Sequence, residues 1–271
     1  MIPSHEHIAE EAIVSSKLAR QEIKRVSEAL RDGRIELFYQ PIVRSGADGF
    51  IAFFEGLARI RMPDDSVVAA GQFIPFVENT PLGRLVDCKT LDLAFDCLHE
   101  NPDIRLSINL SMHSMGDERW NKIFEARATG LGERLILEIT EGAAMSDIEK
   151  TAAFLEHARS FGCSIALDDF GTGSTAFRYF RDFKFDIVKI DGLFIRDLPH
   201  NKDNRVLVEA LVKISEHFDM FTVAEFVETE GEASAAAELG VDCLQGYLIG
   251  KPTALPELPF WNFSTTHKSV G

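Results

Sequence analysis

Four consecutive segments decide the fold: LILEIT (135–140), DIEKTAAFLEHARSF (147–161), SIALDDF (164–170) and IVKID (187–191). The first, third and fourth are short apolar runs rich in Ile, Leu and Val. Strands buried on both faces read this way. The second places Ile148, Phe154, Leu155, Ala158 and Phe161 at helical spacing among Glu, Lys and Arg. Strand, amphipathic stretch, strand is the repeating unit of a parallel sheet, whose crossovers need a dozen or more residues.

The same alternation extends in both directions. Strand-like runs occur at Ile35–Val43, Ile51–Ile60, Arg105–Ser111, Leu135–Thr140, Ser164–Phe170, Ile187–Asp191, Phe221–Phe226 and Cys243–Ile249. Lys202–Phe218 and Glu228–Leu239 supply further crossover helices. Eight runs in 271 residues suit one closed barrel. Only Arg44–Phe50 separates the first two, a link that favours an antiparallel hairpin. The expected fold is therefore α/β, a modified TIM (β/α)8 barrel with an antiparallel first strand.

Residues 1–33 read as an N-terminal helical segment or linker remnant, with Ala19, Ile23, Val26 and Leu30 in helical register and Asp32-Gly33 as its stop. The barrel domain is expected over 34–265. In the irregular tail after Pro252, Phe260, Trp261 and Phe263 are expected to pack on the barrel.

The formal net charge is −15, from 28 basic and 43 acidic residues. Duplex nucleic acid is excluded as a charge-driven partner, since it needs a basic face. An anionic ligand would need local positive charge, which a bound divalent metal supplies. Cys88, Cys97, Cys163 and Cys243 form no C-x-x-C pair and read as reduced, buried residues of a cytoplasmic protein. No apolar run reaches the roughly 18 residues of a membrane span, and MIPSHEHIAEE lacks the basic and apolar regions of a signal peptide. His5 and His7 are expected to be exposed and silent.

The chemistry lies in what interrupts the apolar strands. Glu55, Asn109, Glu138, Asp168 with Asp169, Lys189, Glu225 and Gln245 each break a separate run. One buried polar residue is usually a satisfied core group, because an unpaired buried charge is very costly. Seven strands doing so together point to the C-terminal mouth of a barrel, where active sites are built. All the candidate ligands offer oxygen, which selects Mg²⁺ or Mn²⁺ over zinc or copper. Several carboxylates could hold two ions, a recurring arrangement for phosphodiester hydrolysis. Lys189 would be a cation inside the acidic cluster. Arg59 shares a strand face with Glu55 and suits a phosphate. This reading reaches a metal-dependent phosphoryl-transfer or enolising barrel and names no substrate.

From Leu37 to Pro252 the chain resembles EAL-domain cyclic di-GMP phosphodiesterases. The matching segments are FYQPIV (38–43), EGLAR (55–59), INLS (108–111), LEITE (137–141), DDFGTG (168–173), KID (189–191), AEFVET (224–229) and QGYLIGKP (245–252). The resemblance implies hydrolysis of cyclic di-GMP to linear pGpG, with two Mg²⁺ or Mn²⁺ ions. It implies metal ligation by Glu55, Asn109, Glu138, Asp168, Asp169 and Glu225, with Glu225 as ligand or general base. Lys189 would contact the attacking water. Gln40, Leu57, Arg59, Asp191 and Gln245 would lie at the substrate. Glu141, Glu228, Gly171 and Thr172 would support the site and a loop linked to homodimerisation. The alternative is a catalytically silent cyclic di-GMP receptor, and either could be part of a larger regulated protein. Three residues depart from the family pattern: Gly56 for Ala, Phe226 for Gly, and Ser174 for an aromatic residue.

Overall fold

An antiparallel hairpin starts the sheet, as the short link requires. β1 (Ile35–Arg44) pairs with β2 (Ile51–Arg61), with Phe38 opposite Leu57 and Gln40 opposite Glu55. A short β3 (Val67–Ala69) adds to the outer end of β2 and was not foreseen from the sequence. The computed structural model describes residues 5–46, 49–171 and 183–256, with the backbone alone at 5–16 and 145–146.

From β2 onward the neighbours are parallel: β4 (Leu106–Asn109), β5 (Leu135–Thr140), β6 (Ser164–Phe170), β7 (Ile187–Ile190), β8 (Phe221–Ala224) and β9 (Cys243–Leu244). β9 then pairs antiparallel with β1, Val43 opposite Leu244. The ring β1, β2, β4 to β9 is therefore a closed eight-stranded barrel in which β1 alone runs backwards. The last two strands are shorter than their apolar runs suggested. Glu225 and Gln245 sit just beyond β8 and β9 rather than inside them.

Helices cover the outside, and local signals set their ends. Thr80 accepts the Leu82 N–H ahead of α3 (Pro81–Glu100), whose first residue is proline, where no helical N–H is needed. Asp117 caps α4 (Glu118–Arg127), and Asp147 caps α6 (Ile148–Ser160) after the short α5 (Glu141–Ser146). The others are α1 (His5–Arg31), α2 (Ala70–Val77), α7 (Gly192–Ile195), α8 (Lys202–His217) and α9 (Glu230–Glu238). α9 opens with a capping box between Thr229 and Glu232.

Period-2 alternation divides the core into two layers. Outward-facing Leu106, Leu137, Leu167 and Val188 pack against Leu91, Phe95, Trp120, Phe124 and Phe154 of the helices. Inward-facing Ile42, Phe53, Ile136, Ala166, Ile187, Val223 and Cys243 form a separate apolar plug. Val26 and Ala29 of α1 are fully buried against Ile35, Ile60, Phe73 and Val77, so the end of that helix packs on the hairpin.

Trp120 is fully buried and stacks on Phe124 with ring centroids 5.1 Å apart. Trp120→Ala should cost about 3–5 kcal/mol, the range for emptying a large aromatic site. Urea unfolding of both proteins measures this directly.

Candidate active site

Each residue of the interior plug predicts a polar residue above it. Two positions after Phe53, Ile136, Ala166, Ile187, Val223 and Cys243 come Glu55, Glu138, Asp168, Lys189, Glu225 and Gln245, and residues i and i+2 of a strand share a face. In the reversed β1 the offset changes sign: Gln40 lies two positions before Ile42. Buried Ser107 stands below Asn109 in the same way. The polar set is thus one tier of side chains around the barrel axis, directly above an apolar floor.

At the centre is the ammonium of Lys189, 1% exposed. It lies 2.8 Å from Glu138 Oε2, 2.9 Å from Glu225 Oε1, 3.2 Å from Asp168 Oδ1 and 3.3 Å from Glu55 Oε2. Glu55 is held from other sides too. The Asn109 side-chain amide donates to its Oε1 at 2.8 Å, and that of Gln245 to its Oε2 at 2.5 Å. Gln40 in turn donates to the Gly250 carbonyl at 3.0 Å and accepts from Gln245 at 3.3 Å.

Asp168 and Asp169 would face opposite ways in a regular strand. A register shift between Leu167 and Phe170 and a φ of +54° at Asp169 rearrange this segment. Ligand oxygens of Asp168, Asp169 and Glu225 consequently lie within 4.8 Å of one another.

Four buried carboxylates around one ammonium leave an excess of negative charge that must be offset by protons or another cation. The protonation tendencies record this. Burial, followed by the charge of Glu55, pushes Glu138 up to about 8. Burial likewise raises Glu225 well above the usual carboxylate range, and Asp169 is raised by burial and then by Asp168. Burial opposes ionisation of Lys189, but Asp168, Glu138, Glu225 and Glu55 outweigh it and hold the ammonium charged. Burial also raises Glu55, but Lys189, Gln245 and Asn109 together bring it below its ordinary value. Glu138 Oε1 and Glu225 Oε2 are buried without a hydrogen-bond partner among the described residues. Such orphaned acceptors beside the Asp168–Asp169–Glu225 triad fit a hard divalent cation, which oxygen donors select.

Beside the tier opens a cleft of about 410 Å³ lined by Gln40, Glu55, Leu57, Arg59, Asp168, Asp169, Lys189, Glu225, Glu228 and Gln245. The Arg59 guanidinium stands over the Phe38 ring at 5.8 Å. Three further lining residues, Arg196, Tyr247 and Phe226, come from the segments after β7, β9 and β8. Arg196 and Tyr247 were missed in the sequence. No periodicity marks them, and only proximity to KID and QG could have drawn attention. Gly246 is required beside them: a methyl group there would overlap the Val227 carbonyl oxygen.

The remaining predicted residues are placed as follows. Asp191 does not line the cleft; its carboxylate caps α7 by accepting the Leu193 N–H at 2.7 Å. Glu141 is buried at the start of α5. Gly171 adopts φ +101°, and a methyl there would strike the Phe194 ring. Gly56 turns toward Ile108 and away from Glu55, as alternation requires. His113 hydrogen-bonds Asn79 at 2.7 Å and lines a second cavity of about 550 Å³, which shares Asn109 and Glu138 with the site. Thr172, Ser174, the tail aromatics Phe260, Trp261 and Phe263, and the side chains of His5 and His7 lie outside the described residues.

Comparison with known proteins gives this geometry a family. The profile of the EAL domain matches residues 23–252. The chain belongs to the EAL domain family. It is 32% identical over 240 residues to the cyclic di-GMP phosphodiesterase PdeF of Escherichia coli (strain K12), covering 86% of this chain and 32% of that protein. It is 33% identical over 242 residues to the cyclic di-GMP phosphodiesterase PdeB of Shewanella oneidensis, covering 85% of this chain and 28% of that one. The chain therefore spans about a third of the length of these EAL relatives. Among solved structures, the PaMucR phosphodiesterase in complex with c-di-GMP superposes with a TM-score of 0.77 at 30% identity, over 86% of this chain and 97% of that one. The FimX EAL domain of Xanthomonas citri, at 19% identity and a TM-score of 0.80 over 92% of this chain and 99% of that one, shares the fold.

The electrostatics of the tier predict two outcomes. Lys189→Met leaves four buried carboxylates without their cation and should destabilise the metal-free protein by about 3–5 kcal/mol, as breaking a buried ion pair does; urea titration in EDTA reads the loss. The raised Glu138 also links stability to pH. Its contribution is complete below its ordinary 4.5 and is lost as pH rises through about 8. The melting temperature in EDTA should fall over that interval. The rise produced by Mg²⁺ should grow over the same interval, because a cation competes with those protons. A melting temperature in EDTA that stays flat with pH would contradict the linkage.

Proposed function

We propose that this domain hydrolyses cyclic di-GMP to linear pGpG, using water activated by divalent metal at the C-terminal mouth of the barrel. The observation that carries the proposal is the buried Lys189 ammonium ringed by Glu55, Glu138, Asp168 and Glu225. That arrangement opens onto a cleft containing Arg59. Relatives of similar sequence are named cyclic di-GMP phosphodiesterases, and a superposable structure carries the dinucleotide.

Asp168, Asp169 and Glu225 would hold Mg²⁺ or Mn²⁺, with Glu55, Asn109 and Glu138 completing a set for two ions. Bound there, the metal supplies a nucleophilic water near neutral pH and offsets phosphoryl charge. The protein's own groups do the rest. Arg59 has a planar guanidinium suited to paired hydrogen bonds with a phosphodiester. Glu225, whose Oε2 is buried without a hydrogen-bond partner among the described residues, would act as a ligand or, where that oxygen is left free of metal, as the base that accepts the proton lost by the attacking water. Lys189 holds the surrounding carboxylates at fixed positions and balances part of their charge. Hydrolysis breaks one phosphodiester P–O bond, adding hydroxyl to phosphorus and a proton to the departing oxygen. Gln40, Leu57 and Gln245 line the cleft where the dinucleotide would be bound.

No helix among the described residues is long and apolar enough to cross a membrane. The four cysteines are free and buried, in keeping with a cytoplasmic setting for a nucleotide messenger. A homodimer is the proposed assembly, and a larger regulated protein the proposed context.

Incubation with cyclic di-GMP and Mg²⁺ or Mn²⁺ should yield pGpG, with none formed in EDTA. Glu55→Ala should lower kcat at least about 100-fold, the scale of losing a preorganised charged group. Binding of cyclic di-GMP without turnover in any metal would instead support the receptor alternative.

A further inference from the structure

Phe226 stands where the backbone resists it. Its φ is +54°, in the left-handed region that bulky side chains avoid. Asp65, Asp169, Asp197 and Asp219 share that region, which Asp tolerates because its short polar side chain bonds locally, and Lys184 lies there as well. Phe226 is the one aromatic residue there among the described residues. Strain that persists in a fold clusters at ligand clamps and active sites.

The ring's surroundings say what the strain is for. Phe226 directly follows Glu225 and lines the cleft with Arg59, Arg196 and Tyr247. Its inner side rests on Gly192 at the start of α7. A methyl on Gly192 would lie 2.8 Å from the Phe226 Cβ and ring, so only glycine leaves the ring this seat. The residue remains 51% exposed at the rim of the cleft, so part of the ring is open to a ligand there. A flat apolar face beside a phosphate-binding guanidinium is the arrangement by which proteins hold a nucleobase next to its phosphate.

We propose that Phe226 is a stacking platform for one base of the dinucleotide, a specificity-determining residue seated by Gly192. The inference rests on the cyclic di-GMP reading of the site. It assigns Phe226 to substrate affinity, while the carboxylate tier carries the chemistry.

The test measures KM and kcat for cyclic di-GMP in Mg²⁺, with Kd from calorimetry, for the parent and for Phe226→Gly, Phe226→Leu and Phe226→Tyr. Loss of one base–aromatic stack should raise KM and Kd about tenfold in both the Gly and Leu variants. kcat should fall by less than about threefold, and Tyr, with its own π-face, should restore parental affinity. Parental affinity in the Gly variant would overturn the proposal. So would a Leu variant equal to the parent, since a plain apolar contact would then suffice. A parent that neither binds nor cleaves cyclic di-GMP would overturn the functional reading and the platform with it. A parent that binds while the variants bind equally well would overturn the platform alone.

Discussion

The contact of the Lys189 ammonium with four carboxylates is the constraint on which the rest of the site depends. Glu55, Glu138 and Asp168 come from β2, β5 and β6, and Glu225 from the residue just after β8, elements far apart in sequence. Only a closed barrel brings their side chains to one axis. Placed there without a cation, they would repel one another in a region sheltered from water, where charge interactions are strong. The lysine makes the tier tolerable and leaves it electron-rich. Stability and metal affinity are therefore two consequences of the same unbalanced charge.

The apolar floor gives this tier its precision. Ile42, Phe53, Ile136, Ala166, Ile187, Val223 and Cys243 fill the interior below the polar residues. Close packing there leaves each strand little freedom to slide. A slip of one residue would turn that strand's site side chain outward. The Gln40–Glu55 pairing across the reversed hairpin shows the same control, since an antiparallel strand reaches the tier from the opposite chain direction.

Departures from regular backbone occur where the chemistry needs them. The irregularity in β6 turns adjacent Asp168 and Asp169 toward a common point, and Phe226 holds a left-handed conformation beside Glu225. Each costs on the order of 1–3 kcal/mol, a sum the large aromatic and aliphatic core can absorb. The first lies in the last residues of β6 and the second just after β8, both at the C-terminal mouth, where segments can be reshaped without disturbing the floor.

The sequence by itself determined the architecture and most of the polar tier. Parallel barrel strands are so uniformly apolar that a single Glu, Asp, Lys or Asn within one is conspicuous, and the short Arg44–Phe50 link forced the first pair to be antiparallel. It overextended β8 and β9, because apolar residues continue past the last ladder pair and composition alone does not mark where pairing ends. It singled out neither Arg196 nor Tyr247, which reach the cleft from irregular segments without periodicity. Nor could it show that Asp191 caps a helix, that Gly192 seats Phe226, or that four carboxylates share one ammonium. Those are distances between elements remote in sequence. Side-chain pattern sets which face each residue occupies, whereas barrel closure and local backbone geometry set which of them meet.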